Sequence, residues 1–150
     1  METSFDRVWK RVKASEPFDD AETLRRFIHD EIRDAADYTW LARKTGALPV
    51  RRIFTSFAAE ERRHAKKLQA AAYMNFGENT IPSDQKKKEE EERMLAALRR
   101  RYTMERDSAE AYSTAAGNTS IETLKKLYLE LSKEEYTHAE TLCSLLEQMM

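Results

Sequence analysis

Displaced by 74 residues, the chain lies on a copy of itself. Glu31 falls on Glu105, Tyr38 on Tyr112, Glu61 on Glu135 and His64 on His138. Leu24 and Leu98, Ala35 and Ala109, Ala42 and Ala116, Ala65 and Ala139, and Leu68 and Leu142 keep the same register. Whatever the first half folds into, the second half repeats.

The repeated unit reads as a helical hairpin. The few glycines and prolines stand at Pro17, Gly46, Pro49, Gly77, Pro82 and Gly117, and between them apolar residues recur with a helical period. One helix is predicted to start after the Asp19-Asp20 pair, where Asp19 and Glu22 resemble a capping box, and to run to about Lys44. A second runs from about Pro49 to Phe76. A third begins within the KKKEEEE run, residues 86–92, and ends before Gly117. A fourth starts near Ser120, with Ser120 and Thr123 as cap candidates, and continues almost to Met150. Two such hairpins predict an all-α four-helix bundle formed as one domain, residues 1–150. A short N-terminal helix, Phe5 to Val12, is expected to pack on it as a flap.

The polar members of the repeat occupy the wrong side of their helices for surface charges. At about 100° per residue, Leu24, Phe27, Ile28, Ala35, Tyr38 and Ala42 all lie within roughly 60° of Glu31. Phe54, Phe57, Ala58, Ala65, Leu68 and Ala72 surround Glu61, with His64 on the same side. Glu105 and Glu135 sit in matching stripes, so each helix aims one carboxylate inward. Burying one unpaired carboxylate costs several kcal/mol, and four would exceed the roughly 5–15 kcal/mol by which a domain is stable. Arg101 is the one cation near these stripes, at the side of the third helix, and one cation cannot balance four carboxylates. Divalent metal ions can. A glutamate with a histidine three residues on offers an oxygen and a nitrogen from one helix face, so Glu61 with His64 and Glu135 with His138 read as ligand pairs. One E-x-x-H is a common coincidence in helices; two in register, beside inward Glu31 and Glu105, are not.

Other residues receive plainer readings. Tyr38 and Tyr112, each seven residues after a lone glutamate, read as buried core residues whose hydroxyls can orient the carboxylates. His29 points away from Glu31 toward the surface or a crevice, Cys143 reads as a small buried apolar residue, and Trp40 as an interface marker. One cysteine excludes an internal disulfide framework and a thiolate metal site. Charged residues make up 35% of the chain, yet the net charge is -1 and the signs are interspersed, which argues against nucleic-acid or anionic-membrane partners. The start METSFDRVWK lacks the apolar stretch of a signal peptide and no membrane-spanning run follows, so a cytoplasmic protein is expected.

The spacing Glu31 to Tyr38, the run EERRHAKKL at residues 60–68, and their counterparts from Glu105 and Glu135 resemble the rubrerythrin branch of the ferritin-like superfamily over about residues 20–145. The resemblance implies a non-haem di-iron protein that reduces hydrogen peroxide or oxidises ferrous iron with dioxygen. It implies as ligands of two iron ions, or of manganese, Glu31, Glu61, His64, Glu105, Glu135 and His138, the carboxylates forming the catalytic centre. Two features depart from the pattern. There is no rubredoxin-like segment with paired C-x-x-C motifs, so electrons must come from a separate donor, rubredoxin-like or other. The extra carboxylate of rubrerythrins after the third helix's glutamate is replaced by Ser108, with Asp107 a weak substitute, which favours six ligands and a more symmetric site.

Chain reach adds a constraint. If the second and third helices run parallel and residues 77–85 alone connect them, the link is too short for the roughly 50 Å it must span. Either the KKKEEEE run is partly unwound, or hairpins are exchanged between two chains in a homodimer, or the helices alternate up and down. The leading expectation is a di-iron oxidoreductase. An iron-handling protein without turnover and a metal-free structural bundle are the competing readings.

Overall fold

Helix boundaries follow local chemistry first. The computed structural model describes residues 3, 4, 18–81 and 91–150. Among these it contains four helices and no strand: α1 (Asp20–Lys44), α2 (Leu48–Phe76), α3 (Met94–Asn118) and α4 (Glu122–Met149). The proposed flap helix, Phe5 to Val12, lies outside the described residues.

The chain divides into two compact units, one holding α1 and α2, the other α3 and α4. These are the two halves of the repeat, each a helical hairpin. In the first, Thr45 Oγ1 accepts the Ala47 N–H at 3.3 Å and Arg51 donates to the Thr45 carbonyl at 3.1 Å, fixing the turn into α2. Pro49 stands in the first turn of α2, where its missing N–H has no helical partner to lose. Gly77 ends α2 in the left-handed conformation, φ 65°, a backbone shape that costs glycine nothing. There the Gly77 N–H donates to the Tyr73 carbonyl at 2.8 Å and the Glu78 N–H to the Ala72 carbonyl at 3.4 Å, closing the last turn. Arg25 of α1 then pairs with Glu78 at 2.6 Å, tying the chain beyond α2 back to its own hairpin.

Inside this unit Leu24, Ile28, Tyr38, Phe54, Phe57 and Leu68 are buried. The Tyr38 ring lies 5.9 Å from Phe54 and meets Phe57 edge-on at 5.4 Å. The second unit buries Leu98, Tyr112, Leu124, Tyr128, Leu131 and Leu142. Its Tyr112 stacks on Tyr128 at 6.3 Å, and Ser132 Oγ of α4 donates to the Ala109 carbonyl of α3 at 2.7 Å.

Three expectations need correction. Helix α3 does not begin in the charged run: residues 91–93 are non-helical, 86–90 are outside the described residues, and the helix starts at Met94, where its apolar period begins. It also runs through Gly117, because one exposed glycine in a last turn costs only about 1 kcal/mol. The stop falls at Asn118, whose amide donates to the Thr114 carbonyl at 2.9 Å. Neither Ser120 nor Thr123 caps α4. Ile121 holds the cap position with no side-chain bond, and Thr119 Oγ1 accepts the Ile121 N–H at 3.1 Å.

Candidate metal centre

Each hairpin carries one trio of inward ligand atoms. In the first, Glu31 comes from the middle of α1, and Glu61 and His64 lie one turn apart on α2. Glu31 is 2% exposed, and Glu61 and His64 are fully buried. His64 Nδ1 lies 3.4 Å from Glu31 Oε2 and 3.9 Å from Glu61 Oε1. In the second, Glu105 belongs to α3, and Glu135 and His138 to α4, all buried. His138 Nδ1 lies 3.6 Å from Glu105 Oε2 and 3.3 Å from Glu135 Oε2. Within each trio every residue offers a ligand atom within 4.8 Å of those of the other two. All six residues singled out from the sequence stand where the repeat placed them, and the same imidazole nitrogen faces the carboxylates in both halves.

The donor set fits a metal. Two carboxylates and one imidazole in each trio, with no thiolate, match iron, manganese or zinc by ligand type. Without a cation, such packing must be relieved by protons. Burial pushes the Glu105 carboxyl up, but hydrogen bonds from Glu135 and His138 and the adjacent Arg101 charge outweigh it and hold Glu105 below the usual carboxylate range. A metal ion would replace shared protons with its own charge, so binding would release protons.

Arg101 is the residue whose role the sequence reading missed. It is fully buried rather than set to the side, with Nη2 3.2 Å from Glu105 Oε1 and Nη1 3.4 Å from the Met104 sulfur. Two further acids of α1, Asp34 and Asp37, are buried at 4% and 5% exposure, though neither was singled out. Cys143 is half-exposed rather than buried, and His29 is exposed as expected. Tyr38 and Tyr112 are both buried one helical stretch beyond the lone glutamates and pack through their rings. Burial and the negative Asp20 carboxylate push the phenol of Tyr128, the stacking partner of Tyr112, above its ordinary value.

No helix among the described residues is long and apolar enough to cross a membrane. The rubrerythrin family profile matches residues 22–98. Among solved structures, a hypothetical protein from Pyrococcus furiosus shares the fold with a TM-score of 0.77 and 25% sequence identity, covering 87% of this chain and 89% of that one. No curated protein shows significant sequence similarity to the chain.

Proposed function

Because this chain belongs to the rubrerythrin family, we propose that it is a single-domain, non-haem di-iron oxidoreductase that reduces hydrogen peroxide or uses dioxygen to oxidise ferrous iron. The observation that carries the reading is the pair of buried Glu-Glu-His trios, one per hairpin. Glu31, Glu61 and His64 would hold one metal ion, and Glu105, Glu135 and His138 the other. Two iron ions suit the carboxylate-rich set, with manganese the nearest alternative. Such a metal pair would supply redox chemistry at this site, one electron from each ion for cleavage of an oxygen-oxygen bond.

The chain's own residues set the conditions for that chemistry. The four carboxylates neutralise two divalent ions within a buried site, and the imidazoles add two neutral donors. His64 and His138 present Nδ1 to the carboxylates, which fixes the ring orientation needed for ligation. Tyr38 and Tyr112 would orient Glu31 and Glu105 and keep bulk water out of the site. These 150 residues carry one cysteine, and a donor, rubredoxin-like or other, would return the electrons. A homodimer in the cytoplasm completes the proposal.

Protein purified without chelator is expected to hold close to two iron or manganese ions per chain by elemental analysis, with Glu61→Ala and Glu135→Ala each depleted. Unchanged metal content in both variants would sink the site. Stopped-flow mixing of the ferrous protein with peroxide then separates turnover from storage. Oxidation no faster than in buffer leaves an iron-handling protein instead of an enzyme.

A further inference from the structure

The two hairpins agree at all six ligand positions and disagree one turn before the lone glutamates. Phe27 stands four residues before Glu31, and Arg101 four residues before Glu105, the same place in the repeat. Both side chains are buried. The first is apolar and the second carries a full positive charge.

The atoms show how the guanidinium acts on its trio. Arg101 Nη2 binds Glu105 Oε1 at 3.2 Å, while it is the other oxygen, Oε2, that faces His138 Nδ1 at 3.6 Å. Arg101 Nη1 lies 3.4 Å from the Met104 sulfur on the same helix, so both ends of the guanidinium are engaged there. A buried guanidinium is always charged and gains a strong, geometrically specific bond from a carboxylate. Glu105 therefore has one oxygen committed and one to offer a metal ion. The cation also repels a divalent ion arriving one carboxylate away.

Resting on the dimetal reading above, we propose that Arg101 makes the two metal positions unequal, so that the trio Glu31, Glu61 and His64 fills first and the trio Glu105, Glu135 and His138 second. The pair then has a built-in order of loading. A protein with one metal ion per chain would hold it in the first hairpin, with the second position open for the exchangeable ion.

The test titrates metal-free protein with Co2+ in air-free buffer, reading heat and the visible absorption of the bound ion. His64→Ala should weaken the first binding step by at least the tenfold that loss of a group merely supporting a ligand causes, whereas His138→Ala leaves it within about threefold. In Arg101→Met and Arg101→Gln backgrounds that difference should collapse, so that removing either histidine has a similar effect. Circular dichroism on every variant identifies those that remain folded, and the two Arg101 replacements, one apolar and one polar, guard against loss of the fold in either. Equal weakening by both histidine variants in the native background overturns the inference and leaves the dimetal reading standing. An order that persists in both folded Arg101 variants also overturns it. Failure of the native protein to bind Co2+ at all removes the dimetal reading itself, and this inference with it.

Discussion

Glu61→Gln should make the metal-free protein more stable and the metal-loaded protein less stable. Glu61 is fully buried, with His64 Nδ1 3.9 Å from one of its oxygens, and glutamine has the same shape without the charge. At pH 7 the cost of burying such a carboxylate has a ceiling, because the group can take up a proton instead. That ceiling is the gap of about 2.7 pH units from the ordinary glutamate value, or about 3.7 kcal/mol. The nearby imidazole recovers part of it, so a gain of roughly 1–3 kcal/mol is expected from the substitution. For a chain of this size that raises Tm by roughly 3–10 °C. In the native protein a metal ion at a hundred times its Kd adds about 2.7 kcal/mol, and Glu61→Gln should lose most of that gain. Thermal melts by circular dichroism, run after dialysis against chelator and again with excess Mn2+, give both signs from one sample. A lower Tm for the metal-free variant, or a Mn2+ shift as large as that of the native chain, refutes the argument that these carboxylates are kept for a cation.

Ser132→Ala, which removes the 2.7 Å bond to the Ala109 carbonyl, should cost about 1 kcal/mol in urea melts. The loss stays modest because the equivalent position of the first hairpin is Ala58. Gly77→Ala forces a side chain into the left-handed region at the end of α2, and should cost about 1 kcal/mol by the same assay. Glu105 is held below its ordinary value in the folded state, so between that lowered value and about 4.3 the unfolded chain binds more protons than the folded one. The contribution is thus complete above about pH 4.3 and is lost as pH falls through the folded value. Arg101→Met should flatten this dependence, seen as a smaller loss of metal-free stability between pH 5 and pH 3 than in the native chain.

The buried glutamate and histidine cluster was legible because two independent regularities agreed on it. The helical wheel put four glutamates among apolar neighbours, and the repeat put each opposite a twin, so chance at one position would have had to recur at the other. The start of α3 was harder to read. The residues KKKEEEE have good helix propensity but nothing to bury, and helix stability in proteins comes mainly from packing of an apolar face. The helix accordingly begins at Met94, with Ala97 and Leu98 the first of its residues to be buried. Cys143 departs from expectation for the converse reason: cysteine is usually buried, but this one lies beside, rather than on, the stripe of α4.

Arg101 shows how a broken repeat can carry more than an intact one. Four residues from Glu105 it lies about 40° around the helix, close enough to the stripe to be buried. The expectation that it stays to one side rests on the habit of long cations to carry their charge out to water. That habit yields where a buried carboxylate one turn away can satisfy the guanidinium, and the 3.2 Å contact with Glu105 is that case. The signal was present in the repeat. Its partner position is Phe27, a core residue, so the slot that Arg101 occupies in the second hairpin is a core slot. A charge in a position where the twin half carries an apolar ring is either a defect in packing or a device acting on the nearest buried group. Here that group is one oxygen of the buried Glu105 carboxylate, so the asymmetry falls on the carboxylate and histidine cluster rather than on the scaffold alone.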